Sequence, residues 1–223
     1  MSLVTDLRHA FPPPHPAGRP FILGSLAVAG MGLFVGAWLA LLGLGLALFC
    51  LFFFRDPARV APTRPGAIVS PADGRVVAVV SQVPPAGLEL GEKERWRVSI
   101  FLSVLNVHVN RVPIQGAITR IVYHTGSFLN ASLDKASEDN ERNTITLRLA
   151  DGRDMVVVQI AGLIARRILC SLRVGDAVRT GERLGIIRFG SRTDIWLPEG
   201  VAPLVFVGQT MVGGETVIGE FSA

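Results

Sequence analysis

The sequence predicts a mainly β fold carrying an N-terminal transmembrane helical hairpin, and three features carry that prediction. They are an uncharged apolar run from Phe21 to Phe54, short β-rich segments separated by turn signals after residue 65, and a glycine repeat near the C-terminus. Three regions follow: an N-terminal segment over 1–20, a membrane-anchoring hairpin over 21–54, and a β domain over 55–223.

The apolar run is too long for one membrane crossing. As a single helix rising about 1.5 Å per residue it would reach roughly 50 Å, against a hydrocarbon core of about 30 Å. Two helices fit better, with the bend expected at Gly36-Ala37-Trp38 and further glycines at 30, 32, 43 and 45 for close packing. Arg8 and Arg19 precede the run and Arg55, Arg59 and Arg64 follow it, the pattern of a hairpin with both ends on the cytoplasmic side. A cleaved signal peptide is the alternative. It is disfavoured by the length of the run and by bulky Phe49 in Ala47-Leu48-Phe49-Cys50.

Within the β domain, Ala67 to Val69 and Arg75 to Val80 read as strands around the turn Ser70-Pro71-Ala72-Asp73-Gly74. Val98 to Val112 is a long β-rich stretch, and Thr144 to Leu149 and Met155 to Ile160 flank the hairpin dipeptide Asp151-Gly152. The polar segment from Asn130 to Asn143 reads as a loop. Val174-Gly175 and Gly181-Glu182 recur as Val207-Gly208 and Gly214-Glu215 at the same spacing. Turns of this type occur in lipoyl and biotinyl domains, so a β-sandwich of that kind is expected.

Cys50 lies in the apolar run and Cys170 far from it, so no disulfide framework is expected and a reducing compartment fits. The net charge of +4 suits an anionic lipid surface. There is no basic stripe interleaved with aromatics, and nucleic acid is not expected as a partner.

The residues that can carry chemistry are few. In Phe189-Gly190-Ser191 the Ser191 hydroxyl can attack the Gly190 carbonyl, turning the amide into an ester; loss of the Ser191 α-proton then releases the upstream piece and leaves a dehydroalanine that hydrolyses to a pyruvoyl ketone. The ordinary alternative is a turn. In Asn106-Val107-His108-Val109-Asn110-Arg111, strand alternation would put the imidazole of His108 on one face with two amides. That favours an oriented, working histidine; the alternative is a half-exposed strand histidine held by amides. Asp73 lies in Ala-Asp-Gly, which is also good turn chemistry.

Ser70-Pro71-Ala72-Asp73-Gly74, Phe101-Leu102-Ser103 followed by His108 and Pro113, and Phe189-Gly190-Ser191 occur in that order behind an apolar segment ending Arg55-Asp56-Pro57. Together with Gly126-Ser127-Phe128-Leu129-Asn130-Ala131 and Asn140-Glu141-Arg142-Asn143, the set resembles phosphatidylserine decarboxylase proenzymes in their short bacterial and archaeal form. The resemblance covers nearly the whole chain. It implies pyruvoyl-dependent decarboxylation of phosphatidylserine to phosphatidylethanolamine and CO2 after self-cleavage at Gly190-Ser191. Ser191 would become the pyruvoyl group, His108 matches the catalytic histidine and Asp73 the aspartate that supports cleavage. No metal and no pyridoxal phosphate is implied. Two departures stand out: the longer bacterial enzymes have a second histidine where this chain has Arg111, and Leu-Gly-Ser-Thr where it has Phe189-Gly190-Ser191-Arg192.

On that reading His108 protonates the carbanion left by CO2 and, before maturation, with Asp73 as its partner, deprotonates Ser191. Arg111, Arg142 and Arg192 are candidates for the substrate phosphate. The expected partners are a phospholipid substrate in the membrane, the cleaved fragment itself (1–190 with 191–223) and a second copy of the chain. The expected location is the cell membrane with the β domain on the cytoplasmic side, the active site approaching the bilayer near Trp96 or the loop from Ser81 to Trp96, with Lys93 and Arg95 attracting anionic lipid.

Other classes are set against this. A zinc peptidase lacks a close histidine pair, having only His9, His15, His108 and His124. A pyruvoyl enzyme for soluble amino acids would not need the apolar hairpin. A membrane-tethered lipoyl-like binding scaffold without catalysis remains the alternative, and it would stay in one piece on a denaturing gel.

Overall fold

In a computed structural model the described residues are 12–126, 140–162, 167–188 and 190–221. Phe189, the segment Ser127 to Ala131 and most of the expected 130–143 loop lie outside them. The chain divides into two compact units, Met1–Ala58 and Arg59–Ala223.

In the first unit, helix α1 (Arg19–Val35) and helix α2 (Ala37–Phe53) are separated at Gly36, where the bend was expected. They pack antiparallel through glycine. A Cβ on Gly32 would lie 2.1 Å from the Ala40 nitrogen and one on Gly43 would lie 2.3 Å from that of Ala29, so only a bare backbone permits this approach. The 20-residue helical stretch Pro16–Val35 is long and apolar enough to cross a membrane, and α2 is shorter. Their outward leucines and phenylalanines are exposed, as the lipid-facing sides of such helices would be.

The second unit is mainly β. Its strands are β1 (Ala67–Val69), β2 (Gly74–Gln82), β3 (Arg95–Leu102), β4 (Val109–Arg111), β5 (Gly116–His124), β6 (Arg142–Arg148), β7 (Asp154–Ala161), β8 (Ile168–Cys170), β9 (Ala177–Val178), β10 (Arg183–Ile187), β11 (Ser191–Trp196), β12 (Thr210–Met211) and β13 (Val217–Glu220). Among the described residues they form an eight-stranded sheet in the order β12-β2-β3-β11-β7-β6-β5-β9, a three-stranded sheet β4-β10-β8 and the pair β1-β13. The mainly β class is observed, with no further assignment to the lipoyl or biotinyl type.

Alternation decides the faces. On β11, Ile195 joins the main core with Val98, Val157 and Ile145 from the strands beside it, whereas Trp196 joins a second cluster with Val156, Val158 and Ile160 on the opposite face. Leu184 of β10 lies in the main core as well. The long stretch expected over Val98 to Val112 is two strands instead. The side chain of Asn106 accepts from the N–H and hydroxyl of Ser103, closing a turn that ends β3.

The glycine repeat is a repeat of structure. Gly175 and Gly208 both have φ 95°, and Gly181 and Gly214 have φ 79° and 82°, all in the left-handed region. Their N–H groups donate at 2.8 Å to Ile118, Val76, Val112 and Ser70 respectively, so each copy docks on an equivalent strand. The equivalence extends further. Val69 N–H donates to Pro113 O and Arg111 N–H to Pro71 O, both at 2.8 Å. β2 and β5 carry the same register shift, between Val76 and Ala78 and between Ile118 and Arg120. β1 with β13 therefore corresponds to β4 with β10, and Ile68 opposite Gly219 corresponds to Asn110 opposite Gly185.

Candidate active site

Ser191 opens β11, a central strand paired on one side with Leu102 of β3 and on the other with Ala161 of β7. It is fully buried, and its Oγ has no hydrogen-bond partner among the described residues. Ile168 and Ile187 cluster with the neighbouring Ala161, which keeps water from this end of the sheet. Gly190 just before it has φ 65°, a left-handed conformation that costs an ordinary L-residue roughly 1–2 kcal/mol. The expected cleavage bond thus joins a residue in a conformation suited to glycine to a buried, unsatisfied hydroxyl.

Two chain paths bring His108 to this end. Leu102, opposite Ser191, is followed by the Ser103–Asn106 turn and then by His108. From the other direction, Ile187 N–H donates to His108 O at 3.3 Å, and Ile187 ends β10 shortly before Ser191 in the sequence. The His108 ring is fully buried, with Nδ1 3.0 Å from the Asn106 carbonyl. A carbonyl only accepts, so Nδ1 carries the proton and, in the neutral ring, Nε2 holds the basic lone pair.

Asp73 sits in the turn before β2. Its Oδ1 accepts from Gly213 N–H and its Oδ2 pairs with Arg59, each at 2.7 Å. The turn is stitched through Pro71 and Arg111 to β4, the strand that follows His108. The role of Arg59 was missed in the sequence, where it read only as a flanking charge.

The three arginines are separated. Arg111 is buried in β4 and donates to Gly181 O at 3.3 Å. Arg192 follows Ser191 and so faces the other side of the sheet, where it makes a buried bidentate pair with Asp194 at 2.6 and 2.9 Å and donates to Ser99. Arg142 lies in the same row as Arg192, with Ile160 opposite both. A pocket of about 150 Å³ on that side is lined by residues including Arg97, Arg142, Asp194 and Trp196, and by none of Ser191, His108 or Asp73. Trp96 is also distant: it adjoins Arg97, which pairs with Trp196, at the end of β11 opposite Ser191. The expected nearness of the site to Trp96 and the Ser81–Trp96 loop is therefore corrected, because the antiparallel register puts that loop at the far end of β3. Lys93 there pairs with Glu199, and Arg95 donates to Asp154 O.

The chain matches the phosphatidylserine decarboxylase family over residues 46–219, more than half of its length. It belongs to the phosphatidylserine decarboxylase family. Relatives named phosphatidylserine decarboxylase proenzyme include those of Granulibacter bethesdensis, 61% identical over 100% of this chain and 91% of the relative. Those of Gluconacetobacter diazotrophicus (58%, covering 98% and 99%) and Gluconobacter oxydans (56%, covering 99% and 100%) are similar in extent. The decarboxylase family is thus found over nearly the full length, and the chain is an enzyme of that family.

Around the candidate site, Asn140-Glu141-Arg142-Asn143 leads into β6. Asn140 Nδ2 donates to Ala161 O at 2.8 Å, beside Ser191, and the Glu141 carboxylate accepts from the Tyr123 hydroxyl. Burial, then the bond to Glu141 and its charge, push the Tyr123 pKa up to about 12. The folded state favours the protonated phenol, so this contribution to stability is complete below the unfolded value near 10 and is lost as pH rises through about 12. Tyr123 is the only tyrosine, so phenolate absorbance should emerge near pH 12 and move part of the way back toward 10 in Glu141→Gln. Titration near 10 in the wild type would contradict the contact.

Proposed function

We propose that this chain is a self-processing, pyruvoyl-dependent phosphatidylserine decarboxylase, cut between Gly190 and Ser191. The observation that carries the reading is the buried Oγ of Ser191, without a hydrogen-bond partner among the described residues, directly after a left-handed glycine and at the end of the sheet where His108 also lies.

Self-cleavage uses the chain's own atoms. His108 Nε2 takes the Ser191 hydroxyl proton, Oγ attacks the Gly190 carbonyl carbon, and the residue 191 nitrogen leaves that carbon with the proton handed back by His108, giving an ester and a free amine. Removal of the Ser191 α-proton then breaks the Cβ–O bond. Gly190 departs as a new C-terminal carboxylate, and water releases ammonia from the dehydroalanine that remains. Asp73, held by Arg59 and Gly213, fixes the turn against β4, the strand that begins directly after His108.

Position 191 fits a pyruvoyl group: it is dry, needs no side-chain hydroxyl for packing, and its neighbours leave that oxygen unsatisfied. Such a ketone supplies the carbonyl that condenses with the headgroup amine and the conjugated acceptor for the electron pair left when CO2 departs. Ile168 and Ile187 exclude water from that point. His108, oriented through Nδ1 by the Asn106 carbonyl, takes at Nε2 a proton released by the headgroup ammonium and delivers it to the carbon that has lost CO2. Arg192 is committed to Asp194 on the opposite face, which leaves Arg111 as the candidate cation of β4 for the phosphate. The apolar hairpin would hold the enzyme at the membrane that contains its lipid substrate, with the β domain on the cytoplasmic side.

Cleavage does not release the small fragment. β11 is hydrogen-bonded between β3 and β7, β12 pairs with β2 and β13 with β1, all across the cut. Purified enzyme should therefore run as two fragments, 1–190 and 191–223, on a denaturing gel and as one species under native conditions. A single full-length band in active material would refute processing.

A further inference from the structure

Three rows cross the core face of the eight-stranded sheet near the site. Leu102, Ser191 and Ala161 form the outermost, and Val98, Ile195, Val157 and Ile145 form an apolar third. Between them lies Ile100, Thr193, Gln159 and Asn143, with three polar side chains side by side in the interior. Asn143 Nδ2 donates to Gln159 Oε1 at 3.1 Å, and Gln159 Nε2 donates to Asn110 Oδ1 at 2.7 Å from the overlying strand β4. In this arrangement the Asn110 oxygen is the atom engaged by Gln159. The Nδ2 of Asn110 and the Oγ1 of Thr193 are left without hydrogen-bond partners among the described residues, although both residues are fully buried.

Buried donors without acceptors are costly and uncommon, so a pair of them one row inward from Ser191 needs an occupant. Packing does not demand them. The internal repeat makes Ile68 the counterpart of Asn110, and Ile68 is an ordinary core residue paired with Gly219 as Asn110 is with Gly185. The same frame is thus built with an aliphatic side chain in one copy and an amide in the copy beside His108.

Resting on the proposed pyruvoyl reading, we propose that Asn110 and Thr193 receive the carboxylate of the serine headgroup and so distinguish substrate from the decarboxylated product. With the headgroup amine at position 191, the carboxylate points inward to these donors while the phosphate and acyl chains lie outward. Neutral donors suit a group that must leave as CO2. They offset part of its desolvation without the strong ion pair that would stabilise the bound carboxylate against loss. Gln159 and Asn143 are positioning residues for Asn110.

The test uses the cleaved, full-length enzyme in detergent and two soluble probes, with binding read by calorimetry. Glycerophospho-3-hydroxypropanoate keeps phosphate and carboxylate but has no amine; glycerophosphoethanolamine keeps phosphate and amine but has no carboxylate. Asn110→Asp keeps the bond from Gln159 and puts a negative oxygen where Nδ2 was; Thr193→Val removes the hydroxyl at nearly constant volume. Each should weaken the carboxylate probe by about tenfold or more, as loss of a hydrogen bond to a charged group does, while leaving the ethanolamine probe and the extent of cleavage unchanged. Unchanged carboxylate binding in Thr193→Val, or equal loss of both probes, overturns the assignment. Slower cleavage with unchanged carboxylate binding also overturns it. If the wild type yields no fragments, the processing reading itself has failed, an outcome separate from these.

Discussion

Ser191→Ala is expected to leave one uncut chain with no detectable decarboxylation and with stability close to that of the wild type. The separation of the two effects is the informative part. The Ser191 Oγ is buried without a partner among the described residues, so removing it deletes an unsatisfied polar atom and opens almost no space; the change in stability should stay within about 1 kcal/mol. β11 keeps its pairing with β3 and β7, because every one of those bonds uses the backbone. Function, by contrast, loses the attacking oxygen and with it the precursor of the ketone. A Ser191→Ala protein that is cut at the same bond, or that decarboxylates phosphatidylserine while uncut, would contradict the account.

The second large effect is at His108. His108→Gln preserves a planar polar side chain of similar reach in a fully buried position but removes the Nε2 to which the proposed mechanism gives the proton transfer. Decarboxylation by whatever fraction becomes cleaved should fall by about 10²–10⁴, the usual contribution of a positioned general acid or base. Rates must therefore be normalised to the 191–223 fragment, since cleavage is expected to slow as well. Native co-elution of the fragments separates lost chemistry from lost structure. If the cleaved His108→Gln enzyme turns over at the wild-type rate, His108 does not deliver the proton and another donor must be found.

How much could be read from the chain depended on whether the signal was local. Asp151-Gly152 marked its hairpin, Gly36 marked the break between the helices, and the paired glycines at 175 and 208 and at 181 and 214 share their φ values because the same turn recurs. The strands around Asp73 were visible because a turn sequence separates two β-branched runs. Errors arose where the answer depends on which strands become neighbours. The strand alternation expected through Asn106, His108 and Asn110 does not hold, because Asn106 closes a turn that ends β3 and β4 begins only at Val109. Trp96 was assigned to the site end, and only the antiparallel register of β3 with β11 sends it to the other.

Arg192 illustrates the same limit from the opposite side. Adjacent to Ser191 in sequence, it is across the sheet in space, and its pairing with Asp194 follows from the two-residue period of the strand they share. Gln159 left a trace in the sequence as the polar interruption of Met155-Val156-Val157-Val158-Gln159-Ile160. Its partners, Asn143 and Asn110, come from β6 and β4, and no spacing within one strand could have joined them.

The central claim is that a bond of the chain is consumed to make the reactive carbonyl, and intact-mass measurement of catalytically active enzyme tests it most directly. The account predicts a fragment covering 1–190 and a fragment covering 191–223 whose first residue carries a ketone in place of its amine and hydroxyl. Active protein whose mass is that of the unbroken 223-residue chain, with serine intact at 191, would contradict it.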